Sequence, residues 1–348
     1  MKHFAIIGAG MAGVTAARTL VQAGHRVSVF DKSPRVGGRM ATRETPWGSF
    51  DHGAQYFTVR DPRFALALET VPGTADHVRA WSANAVRVLD PLGRVVEAAL
   101  PVREFHHVGT PGMSALVAHW AAPLHANGSL HLGAHVERLQ RDRLNPRCWE
   151  LHVQGEQTAV VSGFDAVLLA LPHVQTLQLL RQSGTAVSHC GLQEALQNVE
   201  VAPCWTLMLA FPQASQPTLA HLGPQWNAAR STHHRIAWLA RESSKPGRTR
   251  IERWTVQASA EWSQEHLEDD PARVSAKLLK AFAELTGIRA QPAHAEAHRW
   301  RYAKTLKPLG RPFVYSDSHA LGTCGDWHLG HRVEDAFVSG LSLALALA

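Results

Sequence analysis

An α/β fold in two interleaved parts is what this sequence predicts, and three observations carry that expectation. A strand–glycine loop–helix–strand unit opens the chain between His3 and Asp31. A fully apolar strand pattern follows at Phe164–Pro172 (FDAVLLALP), and a glycine turn with an apolar helix closes the chain. Between these, Cys204–Phe211, Ile236–Ala240 and Arg253–Ala258 read as Trp-, Val- and Leu-rich strands followed by one amphipathic helix, the pattern of an α+β lobe.

Length and composition set the bounds. At about 150 residues per domain, 348 residues suit two domains or one enlarged α/β unit. With 45% hydrophobic and 18% charged residues the chain carries no signature of disorder. The longest apolar runs, Ala166–Pro172 and Leu341–Ala348, fall far short of the roughly 18 residues a membrane span needs. The first residues form a strand entering a glycine loop, not a secretion signal, and the four cysteines have neither disulfide nor metal spacing. A cytoplasmic protein with free thiols is expected. The net charge of +6 is spread along the chain, so no nucleic acid partner is expected, while an anionic small ligand would suit it.

Taken in order, the strand His3–Ile7 leads into Gly8-Ala9-Gly10-Met11-Ala12-Gly13. Gly8 allows the tight turn, Gly10 lets a pyrophosphate approach the backbone, and Gly13 permits close helix–sheet packing. Met11 and Ala12 open a helix whose bare N–H groups and dipole favour that diphosphate. Val14, Ala17, Leu20 and Val21 form its apolar stripe, and Gly24 stops it. Arg26–Phe30 is the next strand. It closes on Asp31, about 20 residues past the glycines, where a carboxylate accepts from ribose hydroxyls, with Lys32 beside it. The whole is a Rossmann-like βαβ unit for an adenine dinucleotide.

Three features choose FAD over NAD. In Gly37-Gly38-Arg39-Met40 the glycines permit close approach and Arg39 reaches the same pyrophosphate. In Cys324-Gly325-Asp326-Trp327 the Asp326 carboxylate is placed to hold a ribityl chain. The helix that opens near Val333 is placed to aim backbone donors at the flavin N1–C2=O edge. His135–Arg138 reads as a strand on which the Val136 backbone meets adenine. Asp270-Pro271 then starts a helix with a Val274, Leu278, Phe282, Leu285 stripe and a stop at Gly287.

Together with Asp51-His52-Gly53-Ala54-Gln55-Tyr56-Phe57, Pro111-Gly112-Met113-Ser114, Ser244-Lys245-Pro246-Gly247-Arg248, His298-Arg299-Trp300-Arg301-Tyr302-Ala303 and Arg332-Val333-Glu334, these motifs run over nearly the whole chain. They resemble the renalase family, in its bacterial branch, within the amine-oxidase and glutathione-reductase-type flavoprotein group. The resemblance implies a glutathione-reductase-type FAD-binding domain interleaved with a smaller substrate domain. It implies oxidation of 2- and 6-dihydro isomers of NAD(P) to NAD(P)⁺, with FAD taking the hydride and dioxygen reoxidising it to give hydrogen peroxide. It also implies that Ala54 and Gln55 touch the flavin ring. One segment departs from the pattern: Ala320–Cys324 (ALGTC) is a poor strand, which leaves the register there open. On this reading residues 1–58, 102–172 and 303–348 build the FAD-binding domain, and 59–101 with 173–302 the substrate domain.

A dihydronicotinamide loses hydride readily because its ring becomes aromatic and no proton leaves the substrate. The protein's task is then to position the ring and exclude water, so no essential acid or base is expected. Tyr56, Phe57, His298 and Trp300 are the candidate walls. Each has an alternative place in the core. Lys245 is a solvated loop residue unless a substrate phosphate lies nearby. His106-His107 and His233-His234 read as surface or core residues, no metal is expected, and Cys324 adjoins the ribityl turn, so the flavin is expected to be non-covalent. The rival readings are an amine oxidase, which would want a Lys near the flavin, a non-catalytic flavin sensor, and a plain NAD dehydrogenase. Oligomeric state is left open.

Overall fold

The computed structural model describes residues 1–81, 86–96, 104–215, 224 and 226–348. The nucleotide-binding part centres on a six-stranded sheet. Its order is Val314–Ser316, Leu321–Thr323, Ala166–Leu169, His3–Ile7, Arg26–Asp31, Leu130–Leu132. Neighbours run parallel except the first pair, which is antiparallel. The strand period of two sorts the core. Phe4 and Ile6 pack with Val14, Leu20, Leu116, Phe337 and Leu343 from the helices Met11–Gln22, Ser114–Ala126 and Val333–Leu347. Ala5 and Ile7 face the other way, into a cluster with Leu139, Trp149, Leu151, Phe164 and Leu179. That cluster belongs to a three-stranded antiparallel sheet, His135–Arg141, Trp149–Gln154 and Ala159–Phe164, and to the helix His173–Gln182. Covered on both faces, the central strands are apolar throughout, which is why Ala166–Leu169 reads as an unbroken run.

The weak segment at Ala320–Cys324 is resolved by its neighbours. Leu321–Thr323 lies parallel to Ala166–Leu169, pairing Val167 with Leu321 and Leu169 with Thr323. Gly322 sits there because the Tyr315 ring passes over it: a Cβ would lie 2.8 Å from that ring. Poor strand propensity is thus the local cost of a close contact.

A seven-stranded sheet forms the second part, ordered His294–Lys307, Glu200–Phe211, Glu252–Ala258, Ile236–Arg241, Ala228–Ser231, Val86–Leu89, Val95–Val96. It is antiparallel but for the Ala228–Ser231 and Val86–Leu89 pair. The helix Pro271–Thr286 covers one face. Its Asp270 side chain accepts from the Ala272 and Arg273 N–H groups, Pro271 fills the first turn, and Gly287 ends it at φ +75°. Val274, Leu278, Phe282 and Leu285 meet Leu207, Leu209, Trp254 and Val256 beneath it. Met208 and Ala210, one residue out of phase, turn to the opposite face and pack on Phe50 of the nucleotide-binding part. Among the described residues no helix is long and apolar enough to cross a membrane.

Candidate active site

Between the six-stranded sheet and the seven-stranded sheet lies a cavity of about 1900 Å³, well above the roughly 300–1,000 Å³ of ordinary small-molecule pockets. One end is the glycine loop. Gly8 adopts φ +112°, and a Cβ there would lie 2.5 Å from the Ala170 carbonyl oxygen. A Cβ on Gly13 would overlap the Gly8 carbonyl oxygen, so the helix can rest on the strand only without one. Gly10 differs. It lines the cavity, and a Cβ on it would approach only the Gly38 Cα, at 3.8 Å. Side chains larger than hydrogen there would fill the cradle where a diphosphate lies. Gly10 caps the helix Met11–Gln22 without any side-chain hydrogen bond and with no acid in the first turn, leaving its N–H groups for an anion. The residues present fit the pyrophosphate of a dinucleotide.

Met11, Ala12, Asp31, Lys32, Gly38, Arg39, Met40, Ala54, Gln55, Val136, Asp326 and Val333 all line this same cavity. Two of them do more than expected. The Asp31 carboxylate accepts from the Ala9 N–H (2.7 Å) and the Ser33 N–H (2.8 Å). It shapes the glycine loop and keeps spare lone pairs for a ribose. Arg39 and Asp326, read separately as pyrophosphate and ribityl ligands, form a two-pronged ion pair with each other, Nη1 donating to Oδ2 at 2.9 Å and Nη2 to Oδ1. It ties the second loop of the chain to its last strand–helix turn.

The other end of the cavity is aromatic. Tyr56, His298 and Trp300 line it, and Trp238 joins them. His298 and Trp300 sit two apart on the strand His294–Lys307, so both point inward rather than into a core. Tyr56 stacks on His106, with ring centroids 4.0 Å apart, so His106 backs the wall. His52 was not singled out by sequence. Its ring stacks on Trp300 at 5.2 Å and meets His298 edge-on at 4.7 Å, while Trp300 Nε1 donates to the His52 carbonyl (2.8 Å). Burial, then His298 and Arg43, hold the His52 imidazole down to about 3, and burial with Arg43 lowers His298. Both rings are neutral at ordinary pH.

One expected wall residue, Phe57, and the loop lysine Lys245 are elsewhere. Phe57 alternates away from Tyr56: it is 3% exposed, its N–H pairs with the His107 carbonyl (2.8 Å), and its ring packs on Phe64. It is core. Lys245 is neither solvated nor on the cavity wall, because a turn at Glu242–Ser244 folds it inward until its side chain is fully buried. Its Nζ donates to Glu242 Oε1 (2.9 Å) and Asp51 Oδ2 (3.1 Å), and approaches Gln55 Oε1 at 3.4 Å. Arg248 Nη2 donates to the same Asp51 oxygen at 2.7 Å. Burial by itself would raise the Asp51 carboxyl, but Lys245 and Arg248 outweigh it and hold it at about 2. For Glu242 burial wins over Lys245 and the carboxyl is raised. Sequence spacing held no sign of this cluster, since Asp51 and Lys245 are far apart in the chain. Cys324 is fully buried off the cavity wall, and burial pushes its thiol up to about 12.

The pattern of a family described as flavin containing amine oxidoreductase matches residues 97–347, and that of an NAD(P)-binding Rossmann-like domain matches residues 6–68. An L-amino acid oxidase of Crotalus durissus cumanensis is 55% identical over 47 residues, 13% of this chain and 9% of that protein. The stretch matched in this relative is thus under a tenth of its length. Among solved structures, a putrescine oxidase variant superposes with TM-score 0.74 at 12% identity, and cyclohexylamine oxidase from Brevibacterium oxydans with 0.71 at 13%. Each comparison covers 99% of this chain and 98% of the other, and likeness at such identity is likeness of fold.

Proposed function

The chain belongs to the flavin containing amine oxidoreductase family and is an FAD-dependent oxidoreductase, and on that premise we propose that it oxidises 2- and 6-dihydro isomers of NAD(P) to NAD(P)⁺, with dioxygen as final acceptor and hydrogen peroxide as by-product. FAD supplies a two-electron acceptor that takes hydride from the substrate and is reoxidised by dioxygen. In this reading the first turn of Met11–Gln22, Gly10, Gly38 and Arg39 hold the diphosphate. Asp31, Lys32 and Val136 take the adenosine half, Asp326 the ribityl chain, and Val333 the flavin edge. Ala54, Gln55 and Tyr56 lie along the ring.

One observation carries the choice of substrate: the cavity wall contributed by the seven-stranded sheet holds Arg230 and Lys304 and, among the described residues, no carboxylate. Arg299 and Arg301, out of phase with His298 and Trp300, turn their guanidiniums away to Glu268, which is not on that wall. A substrate amine arrives as a cation, would be repelled, and would need a base to lose its proton. A dinucleotide arrives with phosphates that suit this wall, and its dihydropyridine ring needs no base. The neutral His52 and His298 and the rings of Tyr56, Trp238 and Trp300 offer that ring an apolar slot and keep water out. The volume suits a dinucleotide beside FAD better than a small amine. A cytoplasmic setting is part of the proposal and is supported by the four free cysteines.

Anaerobic mixing tests it. The holoenzyme is mixed in parallel with 2-, 4- and 6-dihydro-NAD and with alkyl and aryl amines, and loss of the flavin band near ~450 nm, a property of the cofactor, is followed. Fast bleaching by the 2- or 6-isomer and none by amines is the expected result. Bleaching by amines alone assigns the chain an amine substrate instead.

A further inference from the structure

We propose that Lys245 is a positioning residue for this oxidation: buried between two carboxylates, it locks the Gln55 amide and so sets the cavity wall at residues 54–56 against the seven-stranded sheet. The proposal rests on the reading above that Ala54, Gln55 and Tyr56 lie along the flavin ring.

The geometry is that of a bridge. Asp51 ends the strand Gly48–Asp51 in the nucleotide-binding part, where Thr42 Oγ1 and the Met113 N–H donate to its Oδ1 at 2.9 and 2.8 Å. Glu242 follows the strand Ile236–Arg241 of the other sheet, where Thr255 Oγ1 donates to its Oε1 at 2.7 Å. One ammonium reaches both carboxylates and Gln55. The chain between Asp51 and Gln55 is stapled to the same sheet twice more, by Trp300 Nε1 on the His52 carbonyl and by Gln257 Nε2 on the Gly53 carbonyl (2.7 Å). Gln55 itself spends every polar atom on the protein: Nε2 donates to the Asp51 and Gly53 carbonyls and Oε1 accepts from Lys245. Its amide is therefore held in one orientation, and the residue lines the cavity. Hydride transfer depends steeply on the distance between facing walls, and wall spacing here is set by the ion cluster behind them.

A substitution at Lys245 alone leaves two buried carboxylates with fewer partners, so the test uses the charge-balanced pair Lys245→Met with Glu242→Gln. Its readouts are Tm, FAD content, the shape of the flavin band, and the anaerobic reduction rate at rising substrate concentration. The same pair is then placed in a Gln55→Met background. The expected result is full FAD content, an altered flavin band, and a limiting reduction rate lower by about tenfold at little changed half-saturation. In the Gln55→Met background the pair should add nothing further, because both changes act on one contact. A band and rate like those of the unaltered protein overturn the proposal, as do rate losses that multiply with Gln55→Met. If the balanced pair does not fold, Gln55→Met decides by itself: it leaves the ion cluster intact, and an unchanged band and rate refute the role. The band is read without substrate, so failure of every dihydro-NAD isomer to reduce the protein counts against the substrate reading and leaves this test standing.

Discussion

Substituting the two buried carboxylates should have unequal costs, although both touch the same lysine. Asp51→Asn removes the partner of Lys245 and Arg248 together, at 3.1 and 2.7 Å, in a site with no exposed surface. Lys245 then keeps Glu242 as its one carboxylate, and Arg248 keeps only the Pro246 and Gly109 carbonyls. Breaking a buried pair in this way costs about 3–5 kcal/mol, or roughly 6–10 °C in Tm at the low end of the scaling for large domains. Glu242→Gln keeps an oxygen for Lys245 and Thr255 and removes a charge that burial already disfavours, so a loss under about 1 kcal/mol is expected. The pH dependence has opposite signs. The Asp51 carboxyl is depressed from 3.8 to about 2, so its share of stability, about 2 kcal/mol, is present above pH 4 and is lost as pH falls through 2. Glu242 is raised, so it detracts from stability at neutral pH and ceases to as acid protonates it. Thermal melts of the FAD-loaded proteins between pH 2 and 8, by intrinsic tryptophan fluorescence, measure all of this. Equal losses for the two variants, or an Asp51→Asn protein as stable as the parent, would refute the charge assignment.

Other outcomes follow from the same geometry. Gly10→Val should abolish FAD retention with the fold intact, because its side chain enters the cradle; the ratio of flavin to protein absorbance checks it. Asp326→Ala should weaken FAD binding by about 1.5–3 kcal/mol, through the lost charged hydrogen bond and the unpaired Arg39, as read by titrating apoprotein with FAD. Phe57→Ala should cost about 3–5 kcal/mol of stability whereas Tyr56→Ala, on the cavity wall, should chiefly slow reduction. Melts and anaerobic kinetics on the two variants separate core from wall. Since burial keeps His52 neutral and lowers His298, the limiting reduction rate should be flat from pH 7 to 8, which stopped-flow at several pH values checks.

The features legible in sequence are those whose cause is local. Gly8, Gly10 and Gly13 are set by contacts within one turn, and the helix Pro271–Thr286 is announced by its own cap, stripe and stop. His298 and Trp300 were named as aromatic walls from their motif, while their alternation on one strand face suited a core equally well, and the structure turns that face to the cavity. The same alternation, applied to Tyr56 and Phe57, would have sent Phe57 to the core, but which of two neighbours faces a cavity depends on where the other sheet lies. Lys245 shows the limit most clearly. A Ser-Ser-Lys-Pro-Gly run has the composition of an exposed loop, and its burial rests on Asp51, 194 residues away, together with Glu242 three residues before it.

By itself, then, the sequence determined an α/β chain with a dinucleotide cradle at its start and an amphipathic helix over a strand-rich middle, because backbone propensity, capping and hydrophobic period act over a few residues. The tertiary structure alone decided that Arg39 meets Asp326, that His52 backs His298 and Trp300, and that Asp51, Glu242, Lys245 and Arg248 share one buried site. Charges far apart in sequence are independent until water is excluded between them, and packing of one sheet against the other is what excludes it.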